Sequence, residues 1–289
     1  MQSLGEKLLY TYARRFPIRT GKMRLVNSLW PHVVRPDDVM RTARLKMGGF
    51  EMQCDLRQHL QRQFYFYGTY WLEEEVLNCW RAFVKNAHTI FDVGANAGIF
   101  SLAALAVQPA ARVHAFEPTP EIAARLRETA VLNKLESLRV HELAIARVTG
   151  SGLLNLCYGE NGTNDGMNFV TDQAVADEVL PITTTSIDEF CAREGIHQID
   201  CLKLDIQGNE GEALAGAAGL LAERRIGAVL MELNWAERTA ERCPATESIQ
   251  ILSSAGFLFA AAKANPVFRP AGDWMRALTE VVAKGPRLK

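Results

Sequence analysis

Residues 90–101, Ile-Phe-Asp-Val-Gly-Ala-Asn-Ala-Gly-Ile-Phe-Ser, constrain the fold more than any other stretch. An apolar strand ends in an acid, a turn follows that carries Gly94 and Gly98, and Ile99 opens a helix. That order aims backbone N–H groups and the positive end of a helix at a ligand. Glycines at the turn remove the Cβ atoms that would hold a ligand away from the backbone. Asp92 adds a carboxylate at the strand's C-terminal end. The stretch reads as a nucleotide-type cofactor site.

From here strands and helices alternate. Strands are expected at 88–92, 112–116, 138–143, 199–204 and 226–233, and helices at 99–107, 120–132, 186–194, 210–223 and 246–255. Thr119 is a plausible N-cap for the second helix, with Pro120 at its tolerated first position. Extra β-structure is expected at 150–158 and 179–185, around a polar loop at 159–166, and two strands follow late, at 257–262 and 278–284. This pattern predicts an α/β chain with a doubly wound, mostly parallel, Rossmann-like sheet and an antiparallel strand near one edge.

The first 86 residues read differently. Leu4, Leu8, Leu9 and Tyr12 recur at near-helical spacing, interleaved with Lys7, Arg14, Arg15 and Arg19. This is either a basic interfacial helix or a helix packed on the main domain or a partner chain. Pro31 and Pro36 punctuate a connecting segment, 41–56 reads as a ribbon around Gly48-Gly49, and 63–71 is rich in aromatics. A helix at 73–86 carries an apolar stripe of Val76, Leu77, Trp80, Phe83 and Val84. The expected division is an N-terminal cap of helices and β-ribbon at 1–86 and a cofactor domain at 87–289, with a β-insert near 150–185.

Composition removes several classes. A net charge of −1 gives no electrostatic case for nucleic acid. The six cysteines are scattered, none in a C-x-x-C pair, so neither a zinc site nor a redox motif is indicated and a reducing, cytoplasmic setting is expected. The first twenty residues lack an apolar signal core, and the longest apolar run, Ile99–Val107, is far too short to span a bilayer.

Four acids stand at strand ends: Asp92, Glu117, Asp205 and Glu232. Ligands of such sheets bind at those ends. Glu117 lies 25 positions after Asp92, where an acid accepts hydrogen bonds from ribose hydroxyls. That spacing fits a nicotinamide dinucleotide or S-adenosylmethionine. The turn separates them. It reads Gly94-x-x-x-Gly98, not G-x-G-x-x-G, and an acid ahead of it repels a pyrophosphate. An amino group and a sulfonium, both cationic, suit it better, so S-adenosylmethionine is the expected cofactor. The bland alternative is that both glycines only permit a tight strand–helix junction.

Phe91-Asp92-Val93-Gly94-Ala95-Asn96-Ala97-Gly98 with Ser101, Ala115-Phe116-Glu117-Pro118-Thr119-Pro120, Thr185-Ser186-Ile187-Asp188-Glu189-Phe190 and Ile199 to Glu210 together resemble the FkbM family of S-adenosylmethionine-dependent methyltransferases. Phe66-Tyr67-Gly68-Thr69-Tyr70 resembles that family's aromatic entry. Gln207 departs from it, standing where Glu is common, and so does Trp71, standing where an acid is common. The resemblance implies a class I methyltransferase fold with a seven-stranded sheet, and methyl transfer to a hydroxyl of a small molecule, sugar or glycan. It implies that Asp92, Gly94, Asn96 and Gly98, with Ala95 and Ser101 of the same turn, hold the methionine part, that Glu117, followed by Pro118, holds the ribose, and that Ala144 lies near the adenine.

A hydroxyl acceptor must lose its proton, and a positioned carboxylate can take it. Asp205 is the first candidate and a further cofactor contact; Glu210 is the second, with helix N-terminal capping as its alternative. Tyr70 is a candidate cofactor contact, with core packing as its alternative. Thr163 and Asn164 are candidate substrate contacts. No metal is expected, because no convincing second ligand accompanies Asp205. The competing functions are a nicotinamide-dependent oxidoreductase, a nucleic-acid methyltransferase and a non-catalytic binding protein of the same fold. Homo-oligomer formation is compatible with all of them.

Overall fold

The computed structural model describes residues 2–16, 21–157, 168–171, 176, 178–233, 244–264 and 278–284. They form two compact units, one running to Glu74 and the other from Glu75 to Cys157 and on through the described residues from Asn168.

The smaller unit holds α1 (Leu4–Arg15), α2 (Lys22–Val33), β1 (Met40–Arg44), β2 (Glu51–Asp55), α3 (His59–Tyr67) and a 3-10 turn at Trp71–Glu73. Ser3 caps α1, its hydroxyl accepting from the Glu6 N–H at 3.0 Å. The ribbon β1–β2 is antiparallel, and Gly48 and Gly49 turn it at φ 62° and 67°, a region costly for other residues. Glu6, 1% exposed, ties α1 to the ribbon and to α3. It accepts from Arg41 Nε at 2.6 Å and Nη2 at 2.8 Å, and from the Tyr65 hydroxyl at 2.8 Å.

Two stretches differ from the sequence reading. The expected connecting segment contains α2, with Pro31 inside it. Pro31 falls in the last turn, where the missing N–H costs a single intrahelical bond. The aromatic run lies largely in α3, whose Phe64, Tyr65, Phe66 and Tyr67 are all buried. A helix buried on every side has no polar face, so its period is invisible in the sequence.

The larger unit begins at the second residue of α4 (Glu74–Val84), a helix that buries Val76, Leu77, Trp80 and Val84. Then come β3 (Thr89–Val93), α5 (Ile99–Val107), β4 (Arg112–Phe116), α6 (Pro120–Leu132), β5 (Leu138–His141), β6 (Ala144–Ile145), β7 (Gly150–Leu156), β8 (Phe169–Thr171) and β9 (Glu178–Thr185). They are followed by α7 (Ile187–Glu194), β10 (Ile199–Leu204), α8 (Glu210–Ala215), α9 (Ala218–Ala222), β11 (Ile226–Glu232), α10 (Pro244–Ser254), β12 (Leu258–Ala264) and β13 (Leu278–Lys284).

The main sheet has seven strands in the order β12-β13-β11-β10-β3-β4-β5. The run from β11 to β5 is parallel, while β13 is antiparallel to both neighbours. Helices on both faces of a parallel sheet demand apolar central strands, and every residue of β3 is buried. Phe91, Phe116, Phe190, Leu202 and Val229 are part of the core between sheet and helices. Order reverses between β3 and β10, which sets the switch point where such sheets bind ligands. The β-insert is a second sheet of four strands, β6-β9-β7-β8.

Two local expectations need correction. The helix expected at 210–223 is two helices, α8 and α9, broken at Gly216. A Cβ on Gly216 would lie 2.3 Å from the Ala146 carbonyl oxygen, so the glycine serves a close backbone approach. Thr119 occupies the N-cap of α6, but its side chain makes no capping bond.

Candidate functional site

The loops at the carboxyl ends of β3, β4, β5 and β10 enclose a pocket of about 600 Å³, counting its solvent-open mouth. Phe116, Ile122, Leu143, Ala144, Ile145 and Ile206 supply apolar walls, and Leu154 and Val170 of the insert sheet close one side. Glu117 and Asp205 are its only ionisable lining residues among those described, and no lysine, arginine or histidine lines it. Its field is therefore negative. It suits a ligand with an apolar ring system and positive charge, and it repels phosphates.

The glycine turn is built by chain neighbours. Gly94 has φ 72°, and a Cβ there would lie 2.0 Å from the Asp205 carbonyl oxygen. Gly98 has φ 83°, and its Cβ would meet Leu126 Cδ1 at 2.3 Å. Both glycines thus answer to close packing of β3 against the chain after β10 and against α6. This steric role stands beside the ligand approach read from the sequence, and Gly94 lines the pocket. Asn96 takes the left-handed region at φ 49°, which asparagine tolerates better than most residues.

Asp92 is fully buried and does not line the pocket. Its Oδ2 accepts from the Ser101 N–H at 2.9 Å and hydroxyl at 2.7 Å, fastening β3 to α5. Its Oδ1 makes no hydrogen bond and lies 3.3 Å from Lys203 Nζ. Lys203, 3% exposed, also donates to the Gly94 carbonyl at 2.9 Å and stands 3.5 Å from Asp205 Oδ2. Burial opposes its charge, but Asp92 and Asp205 outweigh that and raise its pKa. The ammonium sits between a buried acid and a pocket acid.

Glu117 lines the pocket with both oxygens engaged. Oε2 accepts from the Asn96 N–H at 3.0 Å and Oε1 from the Thr119 N–H at 2.9 Å. The carboxylate thereby joins the turns after β3 and β4, and each oxygen keeps a lone pair for a hydroxyl. Burial raises its pKa against these bonds.

Asp205 sits at the pocket with its side chain 38% exposed. Gln207, at φ 55°, aims its amide between two carboxylates: Nε2 donates to Asp205 Oδ1 at 3.2 Å and to Glu232 Oε2 at 3.1 Å. A glutamate there would place a third carboxylate in the cluster. Burial, then the charge of Asp205, pushes the Glu232 carboxyl up to about 8. Glu210, 1% exposed, is outside the pocket lining. Its Oε1 accepts from the N–H groups of Ile206 and Gly208 at 3.0 and 3.1 Å, which shapes the loop bearing Asp205 and Gln207.

Of the residues singled out in the sequence, Gly94, Asn96, Glu117, Pro118, Ala144 and Asp205 converge on the pocket. Asp92, Ala95, Gly98, Ser101 and Glu210 stand behind it. Tyr70 belongs to the smaller unit, where its ring meets Phe64 edge-on at 6.2 Å between centroids. Thr163 and Asn164 lie outside the described residues. Sequence reasoning gave no role to Lys203. Its signal was a cation inside the largely apolar strand 199–204, and only the parallel register, Lys203 opposite Asp92, shows what it pairs with. Among the described residues no group of three or more His, Cys, Asp and Glu could hold a metal, and no helix is long and apolar enough to cross a membrane.

The Methyltransferase FkbM domain matches residues 92–259. The 2-O-methyltransferase NoeI of Sinorhizobium fredii is 27% identical over 150 residues, covering 47% of this chain and 60% of the relative. The 31-O-demethyl-FK506 methyltransferase FkbM of Streptomyces tacrolimicus is 31% identical over 158 residues, covering 46% of this chain and 60% of the relative. The chain thus spans about 60% of the length of these curated relatives. Among solved structures, the precorrin-6y C5,15-methyltransferase of Geobacter metallireducens aligns with TM-score 0.40 and 14% identity, over 73% of this chain and 88% of that one. The family match runs from the acid before the glycine turn to the penultimate strand in sequence, more than half of the chain, and the chain belongs to the FkbM methyltransferase family.

Proposed function

We propose that the pocket binds S-adenosylmethionine and that the chain methylates a hydroxyl oxygen on a small molecule, sugar or glycan. One observation carries the cofactor assignment: the pocket at the strands' carboxyl ends is lined by apolar and neutral polar groups and two acids, with no described cation. A pyrophosphate would meet two carboxylates and no lysine, arginine or histidine among the described lining residues, which disfavours a nicotinamide dinucleotide. The names of both curated relatives describe transfer to oxygen, which supports a hydroxyl acceptor.

In this reading Glu117 holds the ribose through its free lone pairs. Gly94 and Asn96 border the amino-acid part, and Ala144 borders the adenine. Asp92, Ala95, Gly98 and Ser101 act from behind by fixing the turn. When bound, S-adenosylmethionine supplies an electrophilic methyl group. The protein's own task is to align the acceptor oxygen, keep water out and take the hydroxyl proton. Asp205 is assigned as the proton acceptor, because it alone among the proposed catalytic acids reaches the pocket. Lys203 and the Gln207 amide hold one oxygen each and orient it. Glu210 holds the loop.

Calorimetric titration with S-adenosylhomocysteine and with NADH tests the cofactor. Saturable binding of the first alone is expected; binding of NADH alone overturns the reading. A labelled-methyl assay against glycan, lipid and small-molecule fractions then finds the acceptor class. Asp205→Asn should keep S-adenosylhomocysteine binding and lose about two or more orders of magnitude in turnover, the usual range for a general base. Full activity in that variant sinks the base assignment.

A further inference from the structure

The smaller unit contains a cavity of its own, about 220 Å³, where the end of α1, the start of α2 and the segment after α3 meet. Arg14, Arg15, Lys22, Lys46, Tyr67 and Glu74 are among its lining residues. Four cations face it against one carboxylate. We propose that this cavity binds a phosphate-type oxyanion, as a phosphate monoester or diester group.

The cations are supplied in two ways. Arg14 and Lys22 are fixed in place by backbone carbonyls. Arg14 donates through Nε to the Tyr65 carbonyl at 3.2 Å and through Nη2 to the Tyr65 and Phe64 carbonyls at 2.9 and 3.3 Å, while its guanidinium lies 4.7 Å over the Tyr10 ring. Lys22, 6% exposed, donates to the carbonyls of Ala13 and Phe16. Arg14 carries charge in a part-buried place with no carboxylate acting on it: burial lowers its pKa, and Tyr10, Tyr65 and Cys54 are its other influences. The Arg15 and Lys46 side chains are exposed and make no hydrogen bond or ion pair with a described residue. An anion in the cavity gains charge-assisted bonds from the Arg15 and Lys46 side chains without first breaking an ion pair to a described residue.

Tyr67 points to a ligand independently. It is 5% exposed, and its hydroxyl is buried with no hydrogen-bond partner. A buried donor left unmatched costs about 1–3 kcal/mol, which a ligand oxygen removes. Its ring is held against Trp71 at 4.7 Å between centroids. An arginine fork, lysine point charges and a phenol offer more donors than a carboxylate has oxygens, and they match a tetrahedral phosphate. The volume is well above the roughly 10–15 Å³ that one water needs by the same measure, leaving room for an ester substituent.

The test titrates the full chain with inorganic phosphate and with glycerol phosphate at constant ionic strength, by calorimetry. A second arm sediments it with vesicles of phosphatidylglycerol and of phosphatidylcholine, because Leu4, Leu8, Leu25 and Leu29 are exposed on α1 and α2 and a lipid phosphate is one source of the group. Saturable phosphate binding, or binding to phosphatidylglycerol and not phosphatidylcholine, is expected. The Arg15→Gln/Lys46→Gln double variant, altered only at exposed positions, should weaken it about tenfold or more. Tyr67→Phe should weaken it about three- to tenfold while its ligand-free melting temperature stays level or rises, since the hydroxyl has no partner to lose. Phosphate binding alone identifies a soluble ligand; vesicle binding alone identifies a headgroup. Absence of both, or binding unchanged in all these variants, overturns the proposal.

Discussion

Lys203 and Asp92 face each other on neighbouring parallel strands, ammonium to carboxylate at 3.3 Å, and both are almost wholly excluded from water. Each leans on a second contact, Lys203 on the Gly94 carbonyl and Asp92 on Ser101. The pair thereby couples the middle of the sheet to the turn and helix at the pocket mouth.

Removing one partner should therefore be costly. Lys203→Met leaves the Asp92 carboxylate buried without its cation, a loss of about 3–5 kcal/mol. The double variant Lys203→Met/Asp92→Asn removes both charges and should recover part of that loss. Urea unfolding midpoints across the four proteins of the cycle measure the coupling. Additive losses would show that the two groups do not depend on each other.

Glu232 gives a pH signature of opposite sign to ordinary acids. Its folded pKa, about 8, lies above the ordinary value of 4.5, so the folded state holds the extra proton between these limits. Stability from this group is full below pH 4.5 and is lost as pH rises towards 8. Glu232→Gln has no proton to lose, should keep the Gln207 bond through its carbonyl oxygen, and should flatten this slope. Unfolding midpoints of both proteins from pH 5 to 8 check it; parallel curves count against a protonated Glu232.

The stacked pair His114 and His141 acts in the acid range. Their rings lie 5.2 Å apart between centroids, and Nδ1 of the first is 3.1 Å from Nε2 of the second. Burial lowers both, His114 to about 3 and His141 to about 4, from 6.5. The unfolded chain binds protons first, so stability is full above pH 6.5 and falls as pH drops through the folded values. His114→Gln, which can still bond His141, should reduce the steepness of loss between pH 6.5 and 4 by an amount on the order of a few kcal/mol. Acid titration by circular dichroism reads it. A variant as acid-sensitive as the parent would assign the loss to other groups.

How far the sequence could be read follows from how local each determinant is. The helices at 99–107 and 120–132 begin and end where the sequence placed them, because Gly98 and Pro120 mark their starts. The strand β13 likewise keeps its expected bounds, 278–284. The two-residue strand β6 and the pairing of β9 with it were not legible, since they depend on partners some 40 residues apart. The acid at Asp92 was noticed, but its partner was not: nothing local to residue 92 tells that Lys203 will stand beside it. Gly94 was read as making room for a ligand, whereas the nearest obstacle to a side chain is the Asp205 backbone. Gln207, noted as a missing carboxylate, became intelligible only with Glu232 placed across from it.

Glu210 separates a loop-holding role from a chemical one. Its Oε1 accepts two backbone N–H bonds from the loop after β10, and its carboxyl is pushed up by burial. In Glu210→Gln the amide oxygen can accept the same two bonds, so stability should change by less than about 1 kcal/mol and methyl transfer should persist. In Glu210→Ala the N–H groups of Ile206 and Gly208 lose their acceptor, at about 1–3 kcal/mol each where water cannot reach them. The loop then no longer holds Asp205 in place, and turnover should fall with the binding of S-adenosylhomocysteine reduced less. Unfolding midpoints with single-turnover rates distinguish the cases. If Glu210→Gln loses turnover as completely as Asp205→Asn while keeping its stability, the carboxylate itself takes part in the chemistry, and the proton acceptor must be reassigned.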